Sequence, residues 1–337
     1  MTQRRRTRIS GTEDEEPNGS ELQANVRVGL FSTPKDMSPW PGYHYDARGS
    51  ALFNSIMSTP EYYQTSAERS LLTARAEEIV QRSGCTEILE LGSGSAEKSE
   101  ILIRAALDAA NATVGLGVRY VPLDVSRSAL EESVDRLSMN YPALDVLGVL
   151  ADYEKPLRNV LVRSGATLHR RLVVCLGGTI GNLPIERRQA MLAEISDSLQ
   201  PGECILVGID LVKDAKKLEA AYNDASGFSE KFNKNLLLVL NERLGTDFDP
   251  GLFVHRSFYN HEEERIEAWL DSTTEQSVLI PGLGVTVQFK KGEGVRSAIS
   301  VKFTKSSARQ MLEDVGFETS QLYIDDGEMV GLLLGTK

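Results

Sequence analysis

Between residues 67 and 212 the chain alternates two apolar rhythms. Stretches with apolar residues three and four apart predict helices over Glu68 to Ser83, Glu97 to Ala110, Ser126 to Tyr141 and Pro184 to Leu199. Between them lie short, mostly apolar runs: Glu87 to Leu91, Tyr120 to Asp124, Val146 to Leu150, Arg171 to Leu176 and Glu203 to Asp210. A strand apolar on both faces is buried on both, so this alternation predicts an α/β fold around a mostly parallel sheet. Ligands of such sheets bind outside the carboxyl ends of the strands, which directs attention to the loop after each strand.

Beyond Lys213 the rhythm changes. A long helical stretch, Ala215 to Leu244, precedes segments alternating apolar and polar residues, among them Arg265 to Leu270, Gly284 to Phe289 and Ser297 to Phe303. Alternation predicts antiparallel strands, hence a second, α+β lobe. Ser306 to Val315, stopped by Gly316, reads as a helix. Residues 329–335 read as a last strand returning to the first sheet. The expected division is a disordered tail over 1–22, a core from 67–212 plus 303–337, and a substrate lobe from 23–66 plus 213–302.

Composition narrows the chemistry. A net charge of −11 argues against a nucleic-acid binder and suits a small-molecule substrate. The Arg run near the N-terminus is followed by acids rather than an apolar segment, so a disordered tail and a cytoplasmic location are expected. Cys85, Cys175 and Cys204 are far apart, without CxxC spacing, and read as buried thiols; the scattered histidines offer no metal-ligand pattern. No apolar run approaches bilayer length, so no membrane partner is expected.

The first strand ends in Glu90-Leu91-Gly92-Ser93-Gly94, with Lys98 shortly after. Glycines there admit a ligand close to the backbone. A dinucleotide site wants a third glycine where this chain has Glu97, an unfavourable neighbour for a pyrophosphate. S-adenosylmethionine, with a cationic sulfonium and no phosphate, suits an acid-rich loop. Asp124 closes the second strand, where a carboxylate can accept from ribose hydroxyls; Asp152 and Tyr153 follow the third, beside an adenine. Singly, the loop is also a plain glycine turn and each acid a helix N-cap. Together, at successive strand ends, they resemble class I (Rossmann-like) methyltransferases.

A glycine-rich stretch, Leu176 to Leu183, follows the fourth strand and ends in Asn182. Further signatures are Pro60 to Tyr63, Asp210 to Asp214, Ala221 to Asp224, Phe232 to Asn235 and Glu263 to Glu267. From about Val26 onward these resemble the histidine-specific Nα-methyltransferase family of ergothioneine biosynthesis. The resemblance implies a class I core interrupted by an inserted α+β substrate-binding lobe, S-adenosylmethionine as cofactor and a monomer. It implies that Asn182 and Tyr222 hold the substrate carboxylate. It also implies that Gly177 and Tyr45 lie near the reacting amine and that Tyr62 and Phe53 line the pocket; a tyrosine so placed, Tyr45, is expected to relay the departing proton through water. Without the family, the tyrosines read equally as core or surface aromatics.

Two positions depart from the pattern. The family recognises the histidine ring with a glutamate and a serine on one strand; here Ser300 is retained and the glutamate position is Ala298. A pocket methionine is replaced by Ala268, followed by Trp269. Both changes add volume and one removes a charge. The expected activity is Nα-methylation of a free L-amino acid, adding one to three methyl groups, with tryptophan or another indole favoured. Histidine, forming hercynine, is the alternative within the class; a non-catalytic binding protein is the alternative outside it.

Overall fold

The structure is a computed structural model that describes residues 9–10, 19–111, 117–153, 155–161 and 169–337. Among these residues the main sheet has nine strands. From one edge they run Ile9–Ser10, Gly148–Leu150, Val118–Asp124, Glu87–Leu91, Arg171–Cys175, Cys204–Asp210, Val330–Thr336 and Glu318–Ile324, with Leu144–Val146 also paired on Val118–Asp124. All pairings are parallel until Val330–Thr336, which runs antiparallel to Cys204–Asp210, as does Glu318–Ile324 to it. The strand order reverses at Glu87–Leu91, so the loop after Leu91 opens into the crevice where such sheets take ligands.

Alternate side chains of the strands supply two separate cores. Ile88, Leu172, Val174 and Leu206 face the helices Gln64–Ser83, Ser99–Asn111 and Arg127–Asn140. Leu89, Val173, Cys175 and Val207 face Ile185–Ser198 and Lys305–Glu313. Being buried on both faces is why these strands read as continuous apolar runs.

The second sheet has the order Lys35–Asp36, Gly294–Val301, Arg265–Ser272 and Phe253–Asn260. A separate hairpin pairs Gln276–Ile280 with Val285–Phe289. Leu22, Val26 and Leu30 of the helix Gly19–Leu30 join Leu236, Leu237 and Leu240 in a third core with Phe253 and Phe289. Among the described residues no helix is long and apolar enough to cross a membrane.

Three expectations are corrected. The tail expected over 1–22 gives way to structure sooner: Gly19–Leu30 is helical and Ile9–Ser10 pairs with Gly148 and Val149. The rest of that stretch lies outside the described residues. Val146 to Leu150 is two short strands, Leu144–Val146 and Gly148–Leu150. The single helix expected over Ala215 to Leu244 is two, Ala215–Ala221 and Phe228–Leu244. The break has a local cause. Asp224 accepts the backbone N–H groups of Phe228 and Ser229 at 2.9 and 2.7 Å, and Gly227 takes φ +70°, so the chain restarts in a new direction. Tyr222 is thereby left at the end of the first helix, free to turn inward.

Candidate active site

One cavity of about 1960 Å³ lies between the carboxyl edge of the main sheet and the second sheet. Every residue nominated from the sequence lines it: Glu90, Gly92, Ser93, Gly94, Lys98, Asp124, Asp152 and Tyr153 on one side, Tyr45, Phe53, Tyr62, Gly177, Asn182, Tyr222, Ala268, Ala298 and Ser300 on the other.

The loop after Glu87–Leu91 turns sharply. Gly92 and Gly94 have φ of +69° and +49°, a region that side chains resist. The loop is tied to the next strand: Gly92 and Ser93 donate to the Leu123 carbonyl at 2.9 and 3.1 Å, and Gly94 to Asp124 Oδ2 at 2.8 Å. Asp124 Oδ1 accepts from Ser126 N at 2.9 Å, while Ser126 itself caps the helix Arg127–Asn140. Asp124 is therefore a fixed carboxylate facing the cavity and not the helix cap. A side-chain carbon added at Gly92 would lie 3.3 Å from the Tyr153 ring; one at Gly94 would meet nothing within 4 Å. Glu90 is buried against the Tyr120 hydroxyl, and burial lifts its carboxyl to about 7. Ser93 Oγ is buried without a hydrogen-bond partner. An orphaned hydroxyl, open space at Gly94 and acids at successive strand ends fit S-adenosylmethionine.

The second glycine loop is held from below by a residue the sequence did not single out. Glu68, on Gln64–Ser83 and 2% exposed, accepts from Gly177 N at 2.8 and 3.0 Å and pairs with Lys98. Gln64 leaves no space for a side chain at Gly178, where an added carbon would stand 1.9 Å from its amide. The loop then forms the short turn Thr179–Asn182. The Asn182 amide lines the cavity there.

Across from it, Asp46 caps the helix Ala47–Met57, accepting from Gly49 N at 2.7 Å and from Asn235 at 2.8 Å. This anchors Tyr45 and Phe53 edge-on to one another, with ring centroids 5.6 Å apart, and both near Phe232. Tyr62 closes the aromatic wall and donates to Gln64 at 3.1 Å; burial raises its hydroxyl well above the ordinary tyrosine value, so it stays protonated. The Tyr222 hydroxyl lies 2.8 Å from Ser300 Oγ, and both accept from the buried ammonium of Lys302 at 2.9 Å.

Ala268 and Ala298 are paired across neighbouring strands. Behind them Ser297 donates to Asn233 Oδ1 at 2.8 Å, and the Asn233 amide donates to the Ser229 carbonyl at 2.9 Å. Trp269 points to the other face, donating to Glu267 at 2.9 Å between the guanidinium groups of Arg256 and Arg296. Phe232, Asn233, Asp210 and Lys302 lay inside or beside quoted motifs, but nothing in their spacing assigned the first two to the cavity or the last two to the hydrogen-bonded cluster behind Tyr222. Glu68 carried no signal at all: in sequence it is one more acid on an amphipathic helix.

Comparison with known proteins agrees with this architecture. The family described as histidine-specific methyltransferase, SAM-dependent, matches residues 22–337. The histidine N-alpha-methyltransferase of Mycolicibacterium smegmatis is 38% identical over 94% of this chain and 95% of its own. That of Mycobacterium tuberculosis is 37% identical over the same shares. The L-tryptophan methyltransferase trpM of Psilocybe serbica is 26% identical over 96% of this chain and 95% of its own. The chain is an S-adenosylmethionine-dependent methyltransferase and belongs to the histidine-specific methyltransferase family.

Proposed function

We propose that the enzyme methylates the α-amino nitrogen of a free amino acid with a large aromatic side chain, tryptophan or a related indole. The observation that carries this reading is the Ala268–Ala298 pair lining the cavity beside the aromatic wall. Where the family resemblance implies a methionine and a ring-binding glutamate, the strands present two methyl groups. A site that lacks the charged partner loses its main discrimination in favour of imidazole.

The chain's own residues act chiefly by orientation. Asn182 and Tyr222 hold the carboxylate, which aims the nitrogen at the mouth of the glycine loops. Bound at Glu90 to Tyr153, S-adenosylmethionine supplies an electrophilic methyl group. The nitrogen reacts as the neutral amine, and partial desolvation in the cavity lowers its pKa toward that form. Tyr45, beside Phe53 and Phe232, passes the released proton toward solvent. Gly177, which lines the cavity without a side chain, leaves space for an amine that already carries methyl groups. We assign residues 23–66 and 213–302 to the substrate lobe, with the enzyme a cytoplasmic monomer.

Histidine is the second reading, favoured by the identity to the two mycobacterial enzymes and by Ser300. The test is to incubate the protein with S-adenosylmethionine and each standard amino acid and to follow products by mass. Tryptophan as the best substrate supports the proposal; efficient conversion of histidine with tryptophan inert overturns it in favour of hercynine formation. Cofactor binding without turnover of any amino acid points to a non-catalytic protein.

A further inference from the structure

We infer that Lys302 is a positioning residue for the substrate carboxylate: its buried ammonium aligns Tyr222 and Ser300 and places positive charge behind them. The inference rests on the free-amino-acid reading above.

Lys302 is 1% exposed, and its ammonium spends its three protons on Asp210 Oδ2 at 2.7 Å, Tyr222 at 2.9 Å and Ser300 at 2.9 Å. An ammonium can only donate. Both hydroxyls must therefore accept from it and turn their own protons elsewhere. Tyr222 donates to Ser300 at 2.8 Å, which leaves the Ser300 proton to be offered to a ligand. Such a pair meets an acceptor such as a carboxylate better than it meets another donor.

The charges point the same way. Asp210 also accepts from Lys213 at 2.5 Å and from Tyr63 at 2.8 Å. Burial works against both ammonium groups. The Asp210 carboxylate reverses this for Lys302, which lies above the ordinary lysine value, while Lys213 remains lowered to about 8. Two lysines share Asp210, with Asp325 adding its field at Lys213, so positive potential from Lys302 reaches the Tyr222 and Ser300 hydroxyls. An incoming carboxylate beside that pair answers it. The cluster sits where the sheets meet: Phe303 N donates to the Asp210 carbonyl at 2.8 Å, so the two hydroxyls are fixed relative to the cofactor side.

Removing Lys302 leaves Asp210 paired with Lys213 and Tyr63, so K302M retains a neutral, hydrogen-bonded core. The test compares K302M with the unaltered enzyme on tryptophan against tryptamine and histidine against histamine, by turnover and by calorimetric binding with S-adenosylhomocysteine present. Melting curves with that ligand confirm folding. The expected result is a preference for the acid over its decarboxylated amine that falls by roughly 10- to 100-fold in K302M, mainly through KM for the acid, with binding of the amine little changed. An unchanged preference, or an equal loss on acid and amine, overturns the role. Failure of the unaltered enzyme to distinguish acid from amine refutes the amino-acid reading itself, and the role with it.

Discussion

Ala268 and Ala298 face each other directly across two antiparallel strands, and the register slips immediately beyond them, where Trp269 pairs with Arg296 and skips Ser297. The bulge turns Ser297 inward to Asn233 and keeps Ala298 and Ser300 along the cavity. The floor of the side-chain pocket is thus two methyl groups with a polar rim. Substituting A298E together with A268M should refill that floor and restore a ring-binding carboxylate. The ratio of kcat/KM for histidine over tryptophan is expected to rise roughly 10- to 100-fold, the worth of one charged hydrogen bond. Steady-state kinetics with both amino acids checks it, and an unchanged ratio would place the specificity elsewhere.

The carboxylate end gives a separable prediction. Tyr222→Phe keeps the ring against Tyr62, whose centroid lies 6.4 Å away, and removes only the hydroxyl. Asn182→Ala removes the amide at the end of the second glycine loop. Each should raise KM for the amino acid by about tenfold, as for one lost hydrogen bond, without altering binding of S-adenosylmethionine. A fall in kcat at constant KM would show instead that these groups act only in the transition state.

Much of this was legible because the sheet writes itself into the chain. Strands such as Glu87–Leu91 are buried on both faces and appear as apolar runs, and positions just after them can be nominated from spacing. What spacing misses is anything contributed from the side. Phe253–Asn260 borders the second sheet and exposes Val254 while burying Ser257, so its alternation is blurred. The apolar periodicity of Ala215 to Leu244 runs on across the break, and only the Asp224 cap and Gly227 interrupt it. Glu68 and Lys302 reach the site from other elements, and only their three-dimensional partners distinguish them from ordinary surface charges.

Glu68 should prove structural at the heart of the site. Glu68→Ala strands the Gly177 N–H and leaves Lys98 without its carboxylate, a loss of about 2–4 kcal/mol. Glu68→Gln keeps an oxygen for Gly177 and should cost less. Gly208→Ala should act on the same spot from behind, because an added carbon would fall 2.0 Å from Glu68 Oε1. Denaturant unfolding of the three variants tests the order. Equal stability of the alanine and glutamine forms would mean that the Gly177 bond contributes nothing and that any loss comes from the Lys98 pair.

Glu90 links the cofactor side to pH. Burial holds its carboxyl at about 7, against the pull of the Tyr120 hydroxyl, whereas an unfolded glutamate titrates near ~4.3. The folded chain therefore binds this proton more tightly than the unfolded chain. The stability it confers is complete below the unfolded value and is lost as pH rises through about 7. Glu90→Gln fixes the neutral form, so without cofactor it should raise Tm at pH 8 more than at pH 5, relative to the unaltered protein at each pH. Scanning calorimetry at the two values decides the matter. A shift of the same size at both would show that Glu90 is ionised throughout, and that the cation it meets on cofactor binding finds a carboxylate already charged.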